Sequence, residues 1–208
     1  MKGAHDIAGL VLAGGKSLRF GGPNKAFQLL GGRPLIAHAL RPLRSLSHIA
    51  INANRRSAEL AALALPIVAD IIADGGPLGG IHAGLCWAAR LREIRWLATV
   101  PVDLPFLPDD LITRLAHDAD ESAVTIAAAA GDFSPVTALW RIDQLPVMSD
   151  ALERGVRKMT DYLAIAGSRQ AELAPQSVDA LFNINTAERL AQAEPLLAEF
   201  ERGRSELK

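Results

Sequence analysis

The chain is short of several things at once. Its 208 residues include one cysteine, one tyrosine and only 5% aromatic side chains. A single cysteine, Cys86, excludes a disulfide within the chain and fits a reducing compartment. It lies in an apolar, helix-like run with Leu85 and Trp87, where a packed core thiol is a plainer reading than a nucleophile. Charge of one sign is not in excess: 22 Lys and Arg against 23 Asp and Glu leave a net charge of −1, so no global field draws the protein to nucleic acid or a membrane. Long hydrophobic runs are missing too. The longest apolar window, Leu60 to Ala69, is interrupted by Pro66 and stopped by Asp70, which is too short to span a bilayer. The start, Met1-Lys2-Gly3-Ala4-His5-Asp6, has no signal-like apolar stretch. These absences lead us to expect a cytoplasmic protein that captures any anion through a local cluster of charge.

Familiar catalytic groups are scarce as well. His5, His38, His48, His82 and His117 show no metal-ligand spacing, and no serine sits in a nucleophile elbow. His82 follows a glycine turn and reads as a helix-surface residue rather than a crevice one. The lack of an evident base has a chemical meaning. A phosphate nucleophile, with a second pKa near about 6, is already largely ionised at neutral pH and needs none.

What is present is a hydrophobic half, 50% of residues, and an alternation of strand-like and helix-like stretches. Ile7 to Leu12, His48 to Asn52, Pro66 to Asp70 and Trp96 to Val102 read as strands; Pro34 to Leu46, Ala58 to Leu65 and Leu78 to Leu91 read as the helices between them. Strands at Ala123 to Ala129 and Pro135 to Trp140 follow, then helices over Ile142 to Arg154 and Met159 to Ala166, a last strand Ala180 to Ile184, and a helix from Thr186. The rhythm predicts an α/β fold, a Rossmann-like and mostly parallel sheet with helices on both faces. One domain is expected over residues 1–202, with 203–208 fraying because they offer almost nothing apolar to bury.

The first strand runs into L-A-G-G-K-S-L-R-F-G-G-P-N-K-A, residues 12 to 26. Gly14, Gly15, Gly21 and Gly22 allow close backbone approach, and Lys16, Arg19 and Lys25 place cations along the same loop, which suits a polyphosphate. Gly15-Lys16-Ser17 is not the end of a P-loop, because Leu10 stands where that motif needs glycine. The dinucleotide fingerprint fails too, since Lys16 follows Gly14 at the second position. In an open parallel sheet, ligands bind beyond the carboxyl ends of the strands, and the polar residues fall there: the glycine loop, Asn52 and Asn54, Asp70, and Asp103.

Asp103 sits in V-P-V-D-L-P-F-L-P between Pro101 and Pro105. A carboxylate so stiffened, beside a cationic loop, suits Mg²⁺, which takes one or two carboxylates together with substrate phosphates. The alternative is an Asx turn before the next helix. Asn183 and Asn185 alternate at strand spacing, so both would face one side; an amide at the site and a helix cap before Thr186 are both open.

Together these segments resemble the molybdenum cofactor guanylyltransferases, the MobA family, within the nucleotidyltransferases whose loop reads L-x-G-G-x-x-x-R-x-G-x-x-K. Leu12-Ala13-Gly14-Gly15 with Arg19, Gly21, Gly22 and Lys25 matches that loop; Asn52-Ala53-Asn54-Arg55, Asp70, Gly76-Pro77-Leu78-Gly79-Gly80, Asp103 and Phe182-Asn183-Ile184-Asn185-Thr186 match later motifs. The resemblance covers nearly the whole chain and implies the fold of nucleotide-diphospho-sugar transferases. It also implies transfer of GMP from GTP to the terminal phosphate of molybdopterin with Mg²⁺, Ala13-Gly14 going with guanine over cytosine. By the same resemblance Lys25, Arg19 and Asp103 are catalytic, Asp103 holds the metal, and Leu12, Ala13, Gly14, Gly15, Lys25, Asn52, Asp70 and Asp103 bind the nucleotide. Transient contact with cofactor-synthesis or acceptor proteins is implied as well. Arg157-Lys158-Met159 departs from a more basic stretch of the family pattern, so Arg157 and Lys158 are candidates for the anionic pterin only beside the reading of a solvated helix face. The rival readings are a cytidylyltransferase or sugar-1-phosphate nucleotidyltransferase, and a nucleotide-binding carrier without chemistry.

Overall fold

The computed structural model describes residues 4–14, 25–117, 119 and 122–206. A seven-stranded sheet forms its centre, in the order β5-β4-β1-β6-β8-β7-β9. These strands are β1 (Ile7–Leu12), β4 (His48–Asn52), β5 (Ile67–Val68), β6 (Trp96–Pro101), β7 (Val124–Ala129), β8 (Asp132–Arg141) and β9 (Ser168–Glu172); β2 (Leu29–Leu30) and β3 (Arg33–Pro34) form a separate hairpin. Only β8 runs against the others, pairing antiparallel with β6 and β7. Its reversal follows from the two-residue turn Ala130-Gly131, whose φ values of 53° and 89° suit the tight turns that match strand twist.

Alternation along β1 feeds two cores. Ile7 and Val11 pack with α1 (Leu35–Leu40), α2 (Ala58–Ala62) and α4 (Leu111–His117), while Ala8, Leu10 and Leu12 pack with α3 (Gly76–Ala88), α5 (Leu145–Glu153) and α6 (Met159–Ala166). A third cluster, with Leu30, Leu35, Phe106, Phe182, Ile184, Leu197 and Phe200, seats α7 (Ala187–Glu206) against the small hairpin.

The expected rhythm through the first hundred residues is present, with β1 and β4 at the expected bounds and the third strand shortened to Ile67–Val68. Three expectations need correction. The helix over Pro34 to Leu46 is α1 followed by a 3-10 turn at Arg41–Leu43, because Pro42 offers no N–H to continue the α ladder. Ala180 to Ile184 is not a strand; the last strand is β9, whose S-R-Q-A-E sequence buries only Ala171 and so carries no apolar alternation. Residues 203–206, expected to fray, are helical. They continue α7, and Arg204 donates to Asp109 Oδ2 at 2.8 Å while its guanidinium lies 5.9 Å from the Phe200 ring centre. Charge pairing, rather than apolar burial, holds this end.

Candidate active site

The turns beyond the carboxyl ends of β1, β4 and β6 are stitched to one another. Ala13 N–H donates to the Asn52 carbonyl at 3.0 Å, and Val102 N–H donates to the Leu12 carbonyl at 3.2 Å. These bonds prolong the parallel pairing past the strand ends and fix the relative positions of the residues that follow. Two side-chain clusters grow from this frame.

In the first, Lys25 opens a 3-10 turn at Lys25–Phe27 and directs its ammonium to Asp103 Oδ2 and Asn185 Oδ1, at 2.8 Å each. The three residues come from well-separated parts of the chain. The Lys25 and Asp103 side chains are 14% and 22% exposed, so their pairing is shielded more than a surface ion pair. Asp103 is also tied through its backbone, its carbonyl accepting from Ile184 N–H at 2.9 Å.

The second cluster, among the described residues, is built from amides and a carboxylate. Asn52, at the end of β4, is buried and donates through Nδ2 to the Val68 carbonyl at 3.1 Å and to Asp70 Oδ1 at 2.8 Å. Asn54 Nδ2 donates to Asp70 Oδ2, and Asp70 N–H donates back to Asn54 Oδ1, both at 2.8 Å. Each oxygen of Asp70 thus has an amide donor. The side chain of Asn52 is wedged against the first turns of α3: a Cβ on Gly80 would lie 2.4 Å from Asn52 Oδ1 and 3.0 Å from its Cγ. Glycine at 80 is what lets helix and amide share this space.

Of the residues expected at the site, Lys25 and Asp103 meet directly, and Asn52 meets Asp70. Leu12 is buried, Ala13 half-buried and Gly14 exposed at the mouth of the loop. Gly15, Lys16, Arg19, Gly21 and Gly22 lie outside the described residues. Asn185 reaches Lys25 without the strand that had been expected to aim it, whereas Asn183 Oδ1 is buried without a hydrogen-bond partner among the described residues. Arg157 is engaged elsewhere: its Nη1 donates to the Leu152 and Val156 carbonyls at 2.7 and 2.9 Å, closing the end of α5. Lys158 is exposed.

His82 is neither in the crevice nor on the surface. It is buried between α3 and α5, with Nε2 2.9 Å from Ser149 Oγ, and burial holds its pKa below the ordinary imidazole value. Cys86 lies 3.9 Å from the same nitrogen, and burial raises its thiol pKa, the opposite of what a nucleophile needs. The sequence reading named Gly80 within a motif but gave it no role, and did not single out Arg189. For Gly80 the signal was available in the G-P-L-G-G run; for Arg189, in a long side chain one turn after F-N-I-N-T.

The donor set bears on what cation would fit. Asp103 and Asn185 present two oxygens that already converge on one positive group, the Lys25 ammonium. Among the described residues there is no group of three or more His, Cys, Asp and Glu side chains able to hold a metal. A single carboxylate with an amide oxygen fits a hard ion such as Mg²⁺, which draws its remaining ligands from substrate phosphates and water.

The comparison with protein families decides the relationship: the model of the MobA-like NTP transferase domain matches residues 9–172. The chain belongs to the MobA-like NTP transferase family. Its relatives include a molybdenum cofactor guanylyltransferase of Rhodopseudomonas palustris (strain HaA2), 40% identical over 195 residues and covering 90% of each protein. Another of that name, from Cereibacter sphaeroides, is 40% identical and covers 92% of this chain and 97% of its own length. Among solved structures, molybdopterin-guanine dinucleotide biosynthesis protein A of Archaeoglobus fulgidus superposes with a TM-score of 0.74, at 20% identity, over 92% of this chain and 98% of that one. A 4-diphosphocytidyl-2C-methyl-D-erythritol synthase from Anaerococcus prevotii gives 0.71 at 13% identity, over 94% and 100%. These two share the fold. The family motifs fall where the geometry brings side chains together, with one qualification: the matched domain stops at residue 172, while Asn185 contributes to the cluster around Lys25.

Proposed function

We propose that this protein transfers GMP from GTP to the terminal phosphate of molybdopterin, forming the guanine dinucleotide form of the cofactor and releasing pyrophosphate. The observation that carries the reading is the Lys25 ammonium, 2.8 Å from both Asp103 and Asn185 beyond the carboxyl ends of β1 and β6. The specific identity of donor and acceptor is supported by the names of the relatives at about two-fifths identity over nine-tenths of the chain.

A phosphate oxygen of the pterin attacks the α-phosphorus of GTP; the new P–O bond forms as the bond from the α-phosphorus to the bridging oxygen breaks, and the electron pair leaves with pyrophosphate. The attacking phosphate is ionised at neutral pH, so no protein base is needed. Lys25 neutralises charge at the α-phosphate, and Asp103 would hold Mg²⁺. When bound, Mg²⁺ offsets the negative charge that builds on the leaving group. Arg19, Lys16 and the amides of Gly14 and Gly15 bind the outer phosphates, with Leu12 and Ala13 setting the start of that loop. Asp70 faces the base or ribose, and Asn52 holds it from behind. The reaction is assigned to the cytoplasm as part of the same proposal, with the acceptor or its product passing to or from other proteins of cofactor synthesis.

The test is direct. Purified protein with Mg²⁺, molybdopterin and equal GTP and CTP should release pyrophosphate and yield the guanine dinucleotide. Use of CTP would replace the base assignment, and nucleotide binding without pyrophosphate release would make the protein a carrier.

A further inference from the structure

We infer that Arg189 is a positioning residue for the transfer reaction: its guanidinium, held between the Phe182 ring and the Asn183 carbonyl, fixes the strap that joins Asp103 to Lys25. The inference rests on the proposed transfer for its kinetic consequence, and on the geometry alone for its structural one.

Residues 173–186, between β9 and α7, form neither helix nor strand. No ladder aligns this stretch, so its last part must be held by individual contacts. It makes two connections to the site within two residues. Ile184 N–H donates to the Asp103 carbonyl at 2.9 Å, and Asn185 Oδ1 accepts from the Lys25 ammonium at 2.8 Å. A shift of the strap therefore moves both partners of the ion pair.

Arg189, in the first turn of α7, holds the strap. Its Cζ lies 3.7 Å from the centre of the Phe182 ring, within the range of a cation–π contact, and its Nε donates to the Asn183 carbonyl at 3.2 Å. The Phe182 ring also meets the fully buried Phe106 ring, at 5.8 Å and 61°. Phe182 is thus clamped between a core aromatic and a guanidinium. Arg189 itself stands on a fixed base. Its N–H is capped by Thr186 Oγ1 at 3.2 Å, and α7 is anchored further on where Glu194 accepts from Gly31 N–H and Arg204 donates to Asp109. Gln192 Oε1 accepts from Nη1 at 3.2 Å and helps set the rotamer. The sequence Phe106–Phe182–Arg189 makes the C-terminal helix part of the catalytic frame, although it lies beyond the residues matched by the family model.

Truncating Arg189 unclamps one face of Phe182 and removes the donor to Asn183, leaving the fold of the sheet untouched. Because small misplacements of positioned groups lower rates steeply, Arg189→Ala should reduce kcat about tenfold or more, with KM for GTP within about threefold. Arg189→Lys keeps a cation for the ring but lacks the planar fork that reaches the carbonyl, so it should recover part of the loss. Hydrogen exchange gives a readout independent of turnover. In Arg189→Ala, peptides covering 182–186 should exchange faster while those covering 190–200 and the thermal midpoint stay near wild type. Unchanged exchange at 182–186 would overturn the inference, as would a kcat loss that the lysine variant does not relieve or one that follows the loss of folded protein. Wild-type protein that fails to use GTP would refute the proposed function, while the exchange result would still decide the strap.

Discussion

The two clusters at the end of the sheet are made differently, although they share the strands that support them. Around Lys25 a formal cation is set against a carboxylate and an amide oxygen from distant parts of the chain. Around Asp70, among the described residues, the carboxylate is met by neutral amides from Asn52 and Asn54, both of which belong to β4 or the turn just after it. The first arrangement can exchange one cation for another and can follow charge as it moves during phosphoryl transfer. The second has fixed donors and suits a neutral, hydroxyl-bearing or heterocyclic group. In the proposed mechanism the contrast gives rate to one side and recognition to the other, and substitutions on each side can break that division.

The largest effect should come from Asp103→Ala. Removing the carboxylate takes from Lys25 the oxygen it meets at 2.8 Å and, in the proposed mechanism, takes away the residue that would hold Mg²⁺, so pyrophosphate release should fall by about a hundredfold to a thousandfold. The side chain lies beyond the carboxyl end of β6, half-buried and outside the cores, so the thermal midpoint should stay close to wild type. Steady-state pyrophosphate release across a Mg²⁺ titration, alongside a melting curve, measures both. Turnover within tenfold of wild type would remove Asp103 from the chemistry.

The sequence made the charged side legible because its residue types are distinctive there: glycines and cations after an apolar strand, and an aspartate between prolines. Both are local signals, and β1 and β6 did emerge as adjacent parallel strands with those turns at the same end. The strap was not legible. Its F-N-I-N alternation looks like a strand, yet Phe182 and Ile184 are both buried in the third core while Asn185 is exposed, and neither sheet includes it. Tertiary contacts with Phe106 and α7 decide its path, and no window of sequence contains them. β9 was missed for the converse reason: an edge strand needs only one buried side chain, Ala171, to be held by β7.

On the recognition side, Gly80→Ala should have an intermediate effect. The new Cβ would lie 2.4 Å from Asn52 Oδ1 and 3.2 Å from Leu12 Cδ2, and Asn52 cannot swing aside without giving up its bonds to Val68 and Asp70. Overpacking of this kind costs about 1 to 3 kcal/mol. If the amide side recognises rather than reacts, KM for GTP should rise about tenfold while kcat stays within threefold. A fall in kcat with KM unchanged would mean that the two sides are not separate in function.

The smallest effect expected is on acid stability, through the helix that carries Gly80. His82 sits on α3 against Ser149 of α5, with Cys86 3.9 Å from its ring nitrogen and Nδ1 lacking a partner among the described residues. Burial lowers its folded-state pKa, so the unfolded chain takes up a proton first as pH falls. The stability associated with the neutral imidazole is therefore complete above about 6.5, the ordinary histidine value, and is lost progressively below it toward the lower folded-state pKa. Melting curves at pH 7.5 and 5.5 should differ by a few degrees more in wild type than in His82→Asn. Because protonation loosens the α3 and α5 contact behind Asn52 rather than the Lys25 side, KM for GTP should rise across the same interval before kcat declines. Equal acid slopes in the two proteins would show that His82 takes up its proton as readily in the folded protein as in the unfolded chain.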